Sequence, residues 1–131
     1  MTPKFALFGC SPLAIEVAWR LSMARLPFVM LDRDATRVAE ARQEGLMAER
    51  IDYTDDTALR EVGIGSHIEG VFCLLSEDSE NVFLAISARA LDPELRIVAV
   101  CQAPQAAAKL LAAGADKVVT PTRSAAPGCT N

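Results

Sequence analysis

The sequence predicts a doubly wound α/β fold: a parallel sheet of about six strands, helices on both faces, one domain. Three observations predict it. Short apolar runs rich in Val, Phe and Ile alternate with helical segments along the whole chain, as expected for successive β-α-β units. A glycine, Gly9, ends the first apolar run just before a helix-like segment, and an aspartate, Asp32, ends the second run 23 residues later. That spacing suits a strand–turn–helix that holds a nucleotide. Finally, 131 residues of which 51% are hydrophobic suffice for one domain with its own core. Only 5% are aromatic, so that core must be built from Ala, Val, Leu and Ile.

Strands are predicted at Lys4–Phe8, Phe28–Leu31, Met47–Ile51, Gly70–Leu75, Arg96–Val100 and Lys117–Val119. Helices are predicted at Pro12–Leu26, Ala35–Glu44, Asp55–Val62, Ser79–Leu91 and Pro104–Ala113. Ser11 suits an N-cap and Pro12 the first helical position. Thr54 is expected to cap the third helix, with Asp55 and Asp56 favourable to its dipole. Pro104 suits a first helical position, and Gly45 and Gly114 suit left-handed C-terminal caps. The expected strand order is 3-2-1-4-5-6, with right-handed crossovers. Residues 1–121 form the domain, and 122–131, without periodicity, read as a tail or the start of a linker.

Two helices lack a full polar face. In the first, Leu13, Val17 and Leu21 form the expected core row, and Ile15, Trp19 and Met23 a second apolar row beside it. The fourth, Val82 to Leu91, is interrupted only by Ser87 and Arg89. An apolar face of this kind is expected to mark a subunit contact, with Leu84 as a residue to test.

The net charge of −4 and the absence of a basic cluster argue against nucleic acid. No apolar run is long enough to span a bilayer. Four scattered cysteines without C-x-x-C, and a single histidine, His67, make a zinc site improbable. Cys73 and Cys101 lie in apolar strand runs as core thiols, whereas Cys10, at a helix N-terminus, is expected to have a lowered pKa.

The phosphate loop is incomplete. The pattern G-x-G-x-x-G is replaced by Gly9-Cys10-Ser11-Pro12-Leu13-Ala14. Gly9 serves the tight turn. Ser11 stands where a glycine would let backbone approach a pyrophosphate, and its hydroxyl either caps the helix or donates to phosphate. Ala14 is a mild change. Asp32 is expected to accept from ribose hydroxyls, and beside it Arg33 would suit a 2′-phosphate although Asp32 favours an unphosphorylated ribose. Asp52 and Thr54 are placed to meet an adenine or a neighbouring loop. Ser76, Glu77 and Asp78 follow the fourth strand near the switch point, where they contact ribose or a metal, or cap the next helix. No catalytic constellation is visible, and the chain is expected not to be an enzyme.

These residues resemble the N-lobe of regulator of K+ conductance (RCK) domains, also called KTN or TrkA-N domains, a Rossmann-like fold. The resemblance runs from Lys4 to Pro121. It rests on Phe5-Ala6-Leu7-Phe8-Gly9, on Val29-Met30-Leu31-Asp32-Arg33-Asp34, and on Arg37-Val38 opening the next helix. Asp52-Tyr53-Thr54-Asp55, Leu59 to Ile64, Ser76 to Asn81, and the closing Ala112 to Pro121 complete it. It implies a cytoplasmic sensor, peripheral to the inner face of the membrane, that binds an adenine nucleotide (AMP, ADP, ATP or NAD/NADH) at the sheet's carboxyl edge. Gly9, Cys10, Ser11, Pro12, Leu13, Asp32, Arg33, Asp52, Tyr53 and Ser76 would form the site. It implies a homodimer or higher ring acting on a potassium channel or transporter. Ser11, Ile51 before Asp52, and Val100 at the fifth strand's end depart from the family pattern. They leave open a non-binding assembly scaffold, and less strongly an NAD-dependent oxidoreductase subunit.

Overall fold

The computed structural model describes residues 2–120; the expected tail at 122–131 and Cys129 lie outside the described residues. The chain runs β1 (Phe5–Phe8), α1 (Pro12–Met23), β2 (Phe28–Asp32), α2 (Ala35–Gln43), β3 (Ala48–Arg50), α3 (Asp56–Val62), β4 (Gly70–Cys73), α4 (Asp78–Leu91), β5 (Arg96–Val100), α5 (Ala106–Ala113) and β6 (Lys117–Val119). The strands form one parallel sheet in the order β3-β2-β1-β4-β5-β6. This is the doubly wound arrangement the alternation predicts. β1 lies at its centre, with Phe8 level with Leu31 of β2 and Cys73 of β4.

Alternate residues of each central strand feed two cores. Ala6 and Phe8 pack with Leu59 of α3, Leu84 and Ala88 of α4, and Leu110 of α5. Leu7 and Met30 face the other way, onto Ala14 and Ala18 of α1 and Val38 and Ala41 of α2. Three helices therefore cover one face and two the other. The innermost row of α1 is Ala14 and Ala18, not the expected Leu13, Val17 and Leu21, which flank it half-buried. Small side chains let the helix axis approach β1 closely, and the larger ones fill the margins.

Several boundaries move. α1 ends at Met23, three residues before the predicted Leu26, because Arg25 adopts φ +60 and the Leu26 N–H donates back to Leu21 O. No glycine marks that end, and the proline that bounds it, Pro27, lies beyond the cap and does not fix the last helical residue. α5 begins at Ala106; Pro104 lies in the preceding turn, where its carbonyl accepts from Ala107 N. Thr54 does not cap α3. Asp55 does, accepting from Thr57 N at 2.9 Å. Gly45 (φ +85) and Gly114 (φ +120) do terminate α2 and α5.

Candidate functional site

Strand order reverses between β1 and β4, so the loops leaving these two strands part and open a crevice at the sheet's carboxyl edge. Gly9 forms one wall. Its φ is +120, and a Cβ there would lie 2.6 Å from Leu74 O. The glycine is thus demanded by the β4 exit pressed against it, independently of any ligand. Its N–H donates to Leu31 O at 2.7 Å.

Asp32 organises the loop. It is 4% exposed. Oδ2 accepts from Cys10 N at 2.9 Å and Oδ1 from Asp34 N at 3.0 Å. One carboxylate therefore ties the glycine loop to the β2 exit, and a ribose would have to share its remaining lone pairs. Ser11 caps α1 as expected, its Oγ accepting from Ala14 N at 3.3 Å. Pro12 is exposed at the first helical position, and Leu13 is half-buried in the second core.

Cys10 overturns its expectation. The thiol is buried, and burial first, then the Asp32 charge, pushes its pKa up to about 12, against a smaller lowering by Arg37. Desolvation and a facing carboxylate outweigh the helix N-terminus, so Cys10 is not a reactive thiolate. Cys73 is likewise buried and raised to about 12 by burial.

Arg33 lies exposed over the Tyr53 ring, 5.6 Å from its centroid, and 3.8 Å from Glu80 Oε2. Tyr53 is only 2% exposed. Its hydroxyl donates to Glu80 Oε1 at 3.1 Å and its ring meets Phe8 edge-on. Tyr53 packs into the core and supports Arg33 from below. Asp52 is exposed and accepts from both the Thr54 hydroxyl and Thr54 N; those bonds, the hydroxyl's first, hold its pKa below the ordinary value. Arg33, Arg50, Ile51, Asp52 and Thr54 line a groove of about 430 Å³ next to the crevice. Arg50 Nε donates to Arg33 O at 3.0 Å along its wall.

On the opposite wall Ser76 is exposed and accepts from Arg37 Nη1 at 3.1 Å. Asp78, for which the sequence leaves both a ribose or metal contact and a helix cap open, accepts from Gln102 N at 2.8 Å and Ala103 N at 3.0 Å, fastening the start of α4 to the β5 exit. Glu77 is the N-cap of α4 but makes no side-chain cap bond.

Two residues that sequence reasoning passed over shape this wall. Asn81 is fully buried; Oδ1 accepts from Leu75 N, and Nδ2 donates to Leu75 O and Val100 O, at 3.0, 3.1 and 3.1 Å. It joins the β4 and β5 exits. An amide on the same face as Leu84, Ala85 and Ala88 was the available signal. Arg37, seen in the sequence only as part of a family pattern, crosses the crevice mouth.

On the far end of α4, Arg89 donates to the carbonyls of Gly114, Pro93 and Leu95 and to Asp116 Oδ2. It is a structural tie. The interface residue expected on this helix, Leu84, is fully buried in the core; the exposed apolar residues are Phe83 (46%) and Ile86 (51%). On α1, Trp19 and Met23 are exposed as expected.

The TrkA-N domain profile matches residues 5–121. The chain belongs to the TrkA-N family. This TrkA-N domain is 33% identical over 119 residues to potassium channel protein 1 of Methanocaldococcus jannaschii, covering 89% of the chain and 35% of that protein. The chain therefore spans about a third of that relative's length. The RCK domain of GsuK superposes with a TM-score of 0.80 at 28% identity, over 91% of this chain and 25% of that one. The TrkA-N domain of the Escherichia coli inner membrane protein ybaL gives 0.81 at 21% identity, over 92% and 88%. The AMP-bound Kef C-terminal domain of Shewanella denitrificans gives 0.76 at 16%, over 91% and 71%. At these last identities the likeness is one of fold. GsuK has also been solved with NAD, at 22% identity, and with ADP, at 23%. Among the described residues no helix of the TrkA-N domain is long and apolar enough to cross a membrane.

Proposed function

We propose that this TrkA-N domain is a non-catalytic regulatory module that binds an adenine nucleotide at its carboxyl edge and controls a potassium channel or transporter through assembly. The observation that carries the reading is the Asp32 carboxylate joining the glycine loop to the β2 exit beside an open polar groove. The loop offers a place for phosphate, Asp32 for ribose, and the groove between Arg33 and Asp52 for the base. NAD, ADP and AMP in structural relatives support the ligand class. The potassium channel relative supports the partner class. A second copy of the chain would pack on the exposed side of α4, where Phe83 and Ile86 stand out. A ligand would then act by binding two assembly states unequally.

The test is thermal unfolding with AMP, ADP, ATP, NAD and NADH, each at millimolar concentration. A ligand at a hundred times its Kd stabilises the folded state by about 2.7 kcal/mol. A selective rise in midpoint is the expected result. No rise with any nucleotide refutes the sensor reading and favours an assembly scaffold. The Ser11 hydroxyl bonded to Ala14 N is the observation on that side, since it occupies one amide a phosphate would use.

A further inference from the structure

We infer that Arg37 is the phosphate-binding side chain of this site, held across the crevice by Ser76 until a phosphorylated ligand displaces it. The inference rests on the nucleotide reading above and names the residue that makes phosphate binding possible in an incomplete loop.

The loop by itself is a poor anion site. The amides of Gly9, Cys10, Ala14 and Ile15 already donate, to Leu31 O, Asp32 Oδ2, Ser11 Oγ and Ser11 O. Pro12 has no N–H. Between Gly9 and Ile15 only the amides of Ser11 and Leu13 have no acceptor among the described residues. The negative Asp32 carboxylate lies just behind, 2.9 Å from Cys10 N. Two free amides in front of a carboxylate balance a phosphate poorly, so a nearby cation would complete the site.

Three arginines approach this edge. Arg33 is over Tyr53 and near Glu80, and Arg50 is tied to Arg33 O, both on the β2–β3 side. Arg37 alone reaches the switch point, its guanidinium on the hydroxyl of Ser76 across the crevice mouth. Its charge acts on the Cys10 thiol in the lowering direction, in keeping with a guanidinium near the glycine loop. Its present partners are weak. Ser76 is neutral, and Asp34 stands 4.0 Å away at an exposed position. A phosphate offers the fork geometry that guanidinium matches with two charge-assisted bonds, so exchange of Ser76 for phosphate is favourable. The exchange frees Ser76, two residues before α4, the helix that carries Phe83 and Ile86. Ligand occupancy is thereby linked to the loop that leads into the exposed apolar helix.

The experiment is calorimetric titration of the full chain with ADP, at two salt concentrations, and with adenosine. Arg37→Gln is expected to weaken ADP about tenfold or more, the scale of a lost hydrogen-bonded charge, and to flatten the salt dependence. Adenosine affinity is expected to change less than about twofold, because it lacks the phosphate. Ser76→Ala, which removes the competing acceptor, is expected to tighten ADP about two- to fivefold. Unchanged ADP affinity and salt dependence in Arg37→Gln overturns the assignment. An equal loss for ADP and adenosine does so too. Unchanged affinity in Ser76→Ala overturns the role of Ser76. Wild-type protein that binds none of AMP, ADP, ATP, NAD and NADH in the thermal screen overturns the nucleotide reading and this inference together; where another of these binds and ADP does not, the same titration with that nucleotide decides the role of Arg37. Thermal midpoints of both variants within about 3 °C of wild type show that each remains folded.

Discussion

Replacing Asn81 with Leu should remove the clamp between the β4 and β5 exits without leaving room for water. The two side chains are similar in size, so the effect is one of hydrogen bonding. Three backbone groups lose their partner: Leu75 N, Leu75 O and Val100 O. Leu75 is 4% and Val100 6% exposed, so solvent cannot replace the lost bonds. Each unsatisfied buried group costs about 1–3 kcal/mol. With partial relaxation the total is about 3–6 kcal/mol, a large share of the 5–15 kcal/mol typical of a folded domain. The assay is urea unfolding followed by circular dichroism with linear extrapolation. The thermal midpoint should fall by roughly 10–20 °C. A loss below about 1 kcal/mol would refute the argument that these bonds hold the β4 and β5 exits together. Asn81→Asp adds a check on sign. Its neutral carboxyl can accept from Leu75 N, but its carboxylate would face two carbonyl oxygens. The folded pKa is therefore raised, and the variant should be most stable at acid pH and lose stability as pH rises.

The raised pKa values of Cys10, Cys73 and Tyr53, each about 12, predict weakening in base. Stability held below the unfolded values of 9.0 and 10.0 is lost as pH climbs toward 12, so unfolding at pH 10 should need less urea than at pH 8. In a Cys129→Ser background, native protein at pH 8 should resist thiol reagents until unfolded; fast labelling of one thiol would contradict the buried, neutral Cys10. The lowered pKa of Asp116, bonded to Ile97 N and Arg89, predicts stability present above 3.8 and lost as pH falls through the folded value. Asp116→Asn should show a shallower acid transition than wild type, and an unchanged acid limb would remove Asp116 from the account. Phe83→Glu with Ile86→Glu should leave the thermal midpoint nearly unchanged and shift an oligomer toward monomer in sedimentation; equal mass for both forms would exclude that helix face as the contact.

The local chemistry of the chain determined the elements and their order in space. Alternating apolar runs and helical segments, Ser11 with Pro12 at one helix start, and Gly45 and Gly114 at helix ends are signals within a few residues, and parallel β-α-β chirality leaves few arrangements for them. The position of the crevice, and Gly9 and Asp32 as its organisers, follow from the same regularities. Tertiary contacts decided what each side chain does there. Whether Cys10 is reactive depends on burial and on a carboxylate 22 residues away. Whether Tyr53 meets a ligand depends on Phe8 beneath it and Glu80 beside it. Leu84 and Phe83 are adjacent in the chain and equally apolar, yet only the packing of α4 on the sheet buries one and exposes the other. Arg37 and Ser76 are 39 residues apart and meet only because strand order reverses between β1 and β4. Short-range preferences are carried by neighbouring residues, whereas desolvation, charge pairing and exposure arise from groups that are distant in sequence and close only in the folded chain.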